Sequence, residues 1–115
     1  MHQYRTHNCG QLRLVDKNKQ VRLSGWVHRK RDHGNLLFID LRDHYGLTQC
    51  VVDSSHKKFD KISSINNESV VKIFWKVIKR SEETTNNKLN TGEIEVKISN
   101  LEILSSSEIL PLPVN

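Results

Sequence analysis

At 115 residues the chain fits one domain, long enough to bury roughly two thirds of its unfolded surface around a single core, so neither disulfides nor a metal are required to hold it together. The 18 Lys and Arg against 13 Asp and Glu give a net charge of +5 with the six His neutral, a balance that suits a polyanionic partner and raises its odds modestly. Cys9 and Cys50 fit no metal-ligand spacing, the longest apolar run (Leu36 to Ile39) falls far short of the ~18 residues of a membrane span, and MHQYRTHNCG lacks a signal peptide's apolar region. Free thiols in a reducing, cytoplasmic compartment and no membrane partner are therefore expected.

Val21 to Arg29 sets Val21, Leu23, Gly25 and Val27 against Arg22, Ser24, Trp26 and His28, the period of a strand, with Gly25 permitting a bend or a close approach. Asp32 to Asn35, DHGN, has turn chemistry, and Gly34 can take a positive φ, so a second strand from Leu36 to Arg42 folds back as a hairpin. In that strand Leu37, Ile39 and Leu41 point one way, and Leu36, Phe38, Asp40 and Arg42 the other. His44-Tyr45-Gly46 turns the chain again, into a third strand from Leu47 to Asp53. Asp53, Ser54 and Ser55 can cap a short helix running to about Ile65, with Phe59, Ile62 and Ile65 near one face. A fourth strand is predicted from Ser69 to about Arg80. The polar loop SEETTNNKLN follows, then a fifth strand from Gly92, where Ile94, Val96 and Ile98 alternate with Glu93, Glu95 and Lys97. Three strands, a helix and two strands is the order of an all-β, five-stranded Greek-key OB barrel with one short helix between strands 3 and 4, and that lone helix argues against a β-sandwich. The barrel is expected over residues 1–108. Pro111 and Pro113 in LPLPVN cannot continue a central strand, so 109–115 read as the start of a linker.

Phe38 is a large ring among polar neighbours, and His28, Arg29, Lys30, Arg31 and His33 lie just before it. Cations that can follow a phosphate backbone beside a ring on which a base can stack are what single-stranded nucleic acid requires. The bland alternative is a Phe38 packed under a loop as minor core. The six histidines lack ligand pairs or clusters with the cysteines, so a metal site is not expected. Asp40 and Asp43 read as a partner for Arg42 or as fixing the turn before Gly46, rather than as a catalytic pair. With no glycine-rich phosphate loop, nucleophile elbow or Cys/His arrangement, the chain alone is not expected to be catalytic.

The blocks YRTHNCGQLRL, VRLSGWVHRKRDHGNLLFIDLRDHYGLTQCVV, TGEIEV and ILPLPVN, in that order over nearly the whole chain, resemble the N-terminal anticodon-binding domain of bacterial aspartyl-tRNA synthetases, which are class II enzymes. The resemblance implies an OB barrel gripping the anticodon loop of tRNA(Asp), with no cofactor of its own. It also implies a separate catalytic domain, absent from these residues, that uses ATP and Mg to make the aspartyl ester in a homodimeric parent. Phe38 matches the phenylalanine on which the middle anticodon base, U, stacks, and Gln49 a glutamine that hydrogen-bonds a base edge. Arg31 matches an arginine whose planar fork contacts a base or phosphate. Arg29 and Lys30 are assigned to phosphates, with a solvated face as the rival reading. Glu95 matches a glutamate that reads a base by its Watson–Crick edge, while Glu93 is expected to be solvated. His33 stands where a histidine accompanies charging of tRNA(Asn) as well as tRNA(Asp), the rival being a plain turn histidine touching phosphate. Lys79 and Arg80 are expected to reach the RNA backbone. Phe74-Trp75 departs from the family, which often has a small residue or glycine there; burial is the expectation for Trp75, the rival being an extra contact to RNA or to the catalytic domain.

Two functional classes compete. One is a module that reads a tRNA anticodon for a ligase, and the other is a free-standing OB protein that binds single strands with little base preference. Gln49 and Glu95 favour the first, because an unselective binder has little use for a carboxylate in its groove.

Overall fold

The alternating residues close into a barrel. A computed structural model describes residues 6–81, 85–86, 88–89 and 91–105, so the expected linker at 109–115 and parts of the polar loop after Arg80 lie outside the described residues. The strands are β1 (Gln20–Asp32), β2 (Leu36–Asp43), β3 (Gly46–Asp53), β4 (Val70–Lys79) and β5 (Ile94–Ser105), with a single helix, α1 (Phe59–Ser63), between β3 and β4. They join in the order β1-β2-β3-β5-β4, and β4 pairs back onto β1 to close the ring. All pairings are antiparallel except β3 with β5, where Cys50 faces Val96 and Val51 faces Lys97. This is the five-stranded OB arrangement expected from the strand order.

Inward positions carry the core: Val21, Leu23 and Val27 of β1, Leu37, Ile39 and Leu41 of β2, Cys50 and Val52 of β3, Val71, Ile73 and Val77 of β4, and Ile94, Val96 and Ile98 of β5. Two short segments add to it from opposite ends of the β2–β3 hairpin. Cys9 and Leu12 enter beside the β2–β3 turn, where Asp43 Oδ2 accepts the Cys9 N–H (2.8 Å) and Thr48 donates to the Cys9 carbonyl (2.6 Å). Ile62 and Ile65, from α1 and just beyond it, enter after β3. Gly25 is needed for close approach, since a Cβ there would overlap the Arg42 carbonyl. Gly34 takes φ 78°, and its N–H is accepted by Asp32 Oδ1 at 2.9 Å, as the turn chemistry requires.

Three expectations are corrected. The helix begins at Phe59, not at the Asp53–Ser55 cap, because Asp53 Oδ1 accepts the Ser55 N–H (2.8 Å) and His56 Nδ1 the Lys58 N–H (3.0 Å), so the chain turns locally instead of entering a helix. Trp75 is 38% exposed rather than buried, at a register slip of the β4–β5 pair and with φ 154°. Asp40 pairs across the strands to Arg31 and Arg29 rather than with Arg42, whereas Asp43 does fix its turn by accepting the Tyr45 and Gly46 N–H groups.

Candidate nucleic-acid interface

A bulge in β1 decides which cations stand beside Phe38. The β1–β2 register runs Trp26 to Arg42 and Val27 to Leu41, then skips His28, so that Arg29 faces Asp40, Lys30 faces Ile39 and Arg31 faces Phe38. One extra residue reverses the parity of the strand. Without it Arg29 and Arg31 would follow Val27 towards the core; with it they lie on the outer face and Lys30 takes the inward position. Two rows of outward side chains result. Arg29, Asp40 and Gln49 form one, and Arg31, Phe38, Val51 and Lys97 the other.

A continuous polar chain wires these rows together. Arg31 Nη2 donates to Asp40 Oδ1 (2.7 Å) and to Gln49 Oε1 (2.8 Å), and Gln49 Nε2 donates to Glu95 Oε1 (2.6 Å). Arg29 Nε lies 3.8 Å from the other Asp40 oxygen. Such charge-assisted bonds hold long side chains in one geometry before any ligand arrives. Burial pushes the Glu95 carboxyl above the usual glutamate range, against the opposing pull of the Gln49 hydrogen bond and the Arg80 and Arg31 charges. Arg31 Nε is buried with no acceptor among the described residues.

Phe38 is on the outer face as expected, yet only 8% exposed. It is not part of the core: the Arg31 guanidinium carbon lies 5.6 Å from its ring centre, and the His33 ring meets it edge-on at 5.2 Å. The ring is thus covered by two polar side chains of the outer face rather than by the barrel's core.

The other sequence candidates divide. Arg29, Arg31, Phe38, Gln49 and Glu95 are brought together, with His33 at the rim and Glu93 exposed beyond them. Gln49, at 1% exposure, is more deeply set than a strand polar residue reading out a base would suggest. Lys30 leaves the group: its Nζ donates to the Ser63 carbonyl of α1 at 2.7 Å, and burial lowers its basicity. Arg80 does not extend to a backbone either. It is 4% exposed, its Nε donates to the Ile94 carbonyl (2.8 Å), and its charge supports Glu95 from behind. Sequence reasoning missed Asp40 as the anchor of two arginines and Lys97 as an exposed cation of the Phe38 row. Strand parity alone carried both, since Asp40 shares the face of Phe38 and Lys97 that of Glu95.

The tRNA anti-codon family, an OB-fold nucleic acid binding domain, matches residues 21–104. The chain belongs to that family. This OB domain is 57% identical over 99% of its length to the aspartate–tRNA(Asp/Asn) ligase of Paramagnetospirillum magneticum, and 60% identical over the same share to that of Phenylobacterium zucineum. It spans 13% and 19% of those two proteins respectively. Among solved structures it resembles asparaginyl-tRNA synthetase of Pyrococcus horikoshii complexed with asparaginyl-adenylate, with a TM-score of 0.75 and 26% identity over 93% of this chain and 24% of that one.

Proposed function

We propose that this OB domain reads the anticodon of tRNA(Asp), and of tRNA(Asn) as well, for an aspartate–tRNA ligase whose ATP- and Mg-dependent aspartylation takes place in a catalytic domain beyond these residues. The observation that carries the reading is the wired face itself: Asp40, Arg31, Gln49 and Glu95 hydrogen-bonded in series beside an aromatic ring. A domain that only gripped phosphates would gain nothing from a carboxylate and an amide set in that line. The names of its relatives, ligases for tRNA(Asp/Asn), support the same substrate pair.

Recognition follows from the free valences. The central base displaces the Arg31 and His33 covers and stacks on Phe38, an exchange of cation–ring contact for base–ring contact. The second oxygen of Glu95, fixed by the buried Gln49 amide, then presents an acceptor to a neighbouring base edge. Arg31 Nε meets a base oxygen or phosphate, and Arg29 and Lys97 follow the backbone. His33, at the turn, lies where the last anticodon base, C in tRNA(Asp) and U in tRNA(Asn), would pass. The parent enzyme is cytoplasmic and homodimeric in this proposal.

Affinity for anticodon stem-loops ending in C, ending in U and with a scrambled loop, measured across salt, tests it. Similar binding of the first two is expected, with the scrambled loop weaker by roughly 1–3 kcal/mol per altered base and all three showing a negative salt slope. Equal affinity for the scrambled loop would replace anticodon reading by unselective single-strand binding. A strong preference for C would remove tRNA(Asn).

A further inference from the structure

A second aromatic surface lies well away from Phe38. β1 reaches both, with Arg22 at one and Arg31 at the other, on either side of the bulge at His28. The second surface is built at the β4–β5 register slip, where Phe74 faces Asn100 and the next pair, Trp75 with Ile98, skips Ser99. Across the other edge Trp75 faces Val21, a core residue, so regular alternation would send its indole inward between Ile73 and Val77. Instead the backbone takes φ 154°, a value that favours glycine, and the indole is left partly in solvent. A bulky residue kept at a strained, outward-turning position calls for a role outside the core.

The surroundings say what it fits. Gln20, Arg22, Phe74, Trp75, Ser99 and Asn100 line a groove of about 430 Å³, within the range of small-molecule sites, and the described lining includes no carboxylate. Arg22 and Lys72 hold their charges 5.8 Å and 5.5 Å from the Phe74 ring centre, and Lys76 holds its charge 5.8 Å from that of Trp75. Lys72 also pairs with Glu102 at 3.3 Å. Flat rings among three cations, with amide and hydroxyl groups between, complement a ligand that is flat at one end and anionic at the other.

We propose that the Phe74–Trp75 groove is a second nucleic-acid site, taking one unpaired nucleotide of a single-stranded segment with its base against the Trp75 indole and its phosphates on Arg22, Lys72 and Lys76. Its described lining has amides, Gln20 and Asn100, but not the carboxylate that is bonded to an amide on the Phe38 face, so stacking and charge rather than a fixed donor–acceptor pair hold the base and sequence preference is slight. In the parent enzyme it would hold a stretch of RNA outside the anticodon.

The test uses short oligouridine and the full chain carrying Phe38→Ala, so that the first face cannot contribute a stacking ring. Oligouridine is expected to bind this protein at low salt and to quench indole fluorescence. Adding Trp75→Gly, which suits the backbone angle and so leaves the barrel intact, should weaken that binding about tenfold, the effect of one lost stacked base. Lys76→Glu, which keeps the indole, should weaken it and flatten its salt dependence. Trp75→Gly alone should leave affinity for the anticodon stem-loop unchanged, which keeps this result separate from the fate of the anticodon reading. No binding to the Phe38→Ala protein, or equal binding with and without Trp75, overturns the proposal. So does concentration-dependent self-association that Trp75→Gly abolishes, which would make the groove a protein interface.

Discussion

The two aromatic surfaces of this barrel differ in what surrounds their rings. Phe38 lies under Arg31 and His33, and Arg31 is itself fixed by Asp40 and Gln49, so the guanidinium over the ring already has a geometry. Phe74 and Trp75 lie beside Arg22, Lys72 and Lys76, whose charges stand 5.5–5.8 Å from the ring centres, and Trp75 sits on backbone at φ 154°. Placing donors and acceptors in advance costs a ligand that does not match them, because buried polar groups are then left unpaired, and this is how a surface discriminates. A surface of rings and charges accepts any base at similar cost. The first face is built for selection and the second for adhesion.

Breaking the wired face should show up as lost folding stability as well as lost binding. Gln49→Ala removes the acceptor of Arg31 and the donor to Glu95 in one step and leaves a gap beneath them. Chemical denaturation should record a destabilisation of about 3 kcal/mol, the upper end for unsatisfied buried groups because both partners are charged. A loss below about 1 kcal/mol would mean that the network is solvated and not preorganised. Phe38→Ala comes next. Titration with the anticodon stem-loop should lose about 2 kcal/mol, while the Trp75-dependent binding of oligouridine stays intact. Loss of both together would show that the surfaces are one site.

Acidity separates the faces further. Because burial raises the Glu95 carboxyl in the folded chain, the folded state binds this proton more tightly than the unfolded state does. Its contribution to stability is therefore present below the ordinary glutamate range and is lost as pH rises through the raised value. Asp16 works in the opposite sense: the Lys19 hydrogen bond and the Arg13 N–H hold its carboxyl low, so its contribution is present above the ordinary aspartate range and is lost as pH falls through the lowered value. A base edge needs the Glu95 carboxylate as acceptor, so stem-loop affinity should fall as pH drops through the raised Glu95 value, by roughly 1.5 kcal/mol for one charge-assisted hydrogen bond. Glu95→Gln should flatten that profile, and oligouridine binding at the second groove should not follow it. A stem-loop profile that keeps its shape in Glu95→Gln would assign the proton elsewhere.

Where this arrangement could be foreseen, strand parity was the reason. Alternation in Leu36–Arg42 and in the fifth strand puts Phe38 with Asp40, and Glu95 with Lys97, whatever the tertiary structure does. The strand order, with one helix after the third strand, likewise leaves few ways to close a barrel. The bulge at His28 was out of reach, because in HRKRD every side chain is polar and no apolar residue marks the phase of the strand beyond Val27. The destinations of two cations followed from closure alone. Lys30 finds the end of α1 and Arg80 the Ile94 carbonyl only once the ring is complete. Trp75 misled because a large aromatic in a strand is ordinarily buried; the small residue or glycine common there in the resembling family was the one sign of its backbone angle.

That backbone angle makes the smallest and sharpest contrast between the faces. At an ordinary strand position such as Val51, glycine is less stable than alanine by roughly 0.5–1 kcal/mol, because it loses more backbone freedom on folding. At Trp75 the ordering should reverse. A Cβ is strained at φ 154°, and glycine is not, so Trp75→Gly should be more stable than Trp75→Ala by about 1 kcal/mol in thermal or denaturant unfolding, with Val51→Gly and Val51→Ala as the control pair. If alanine were the more stable residue at both positions, the indole would be sitting on relaxed backbone, and the argument that strain holds it outward for a ligand would lose its physical basis.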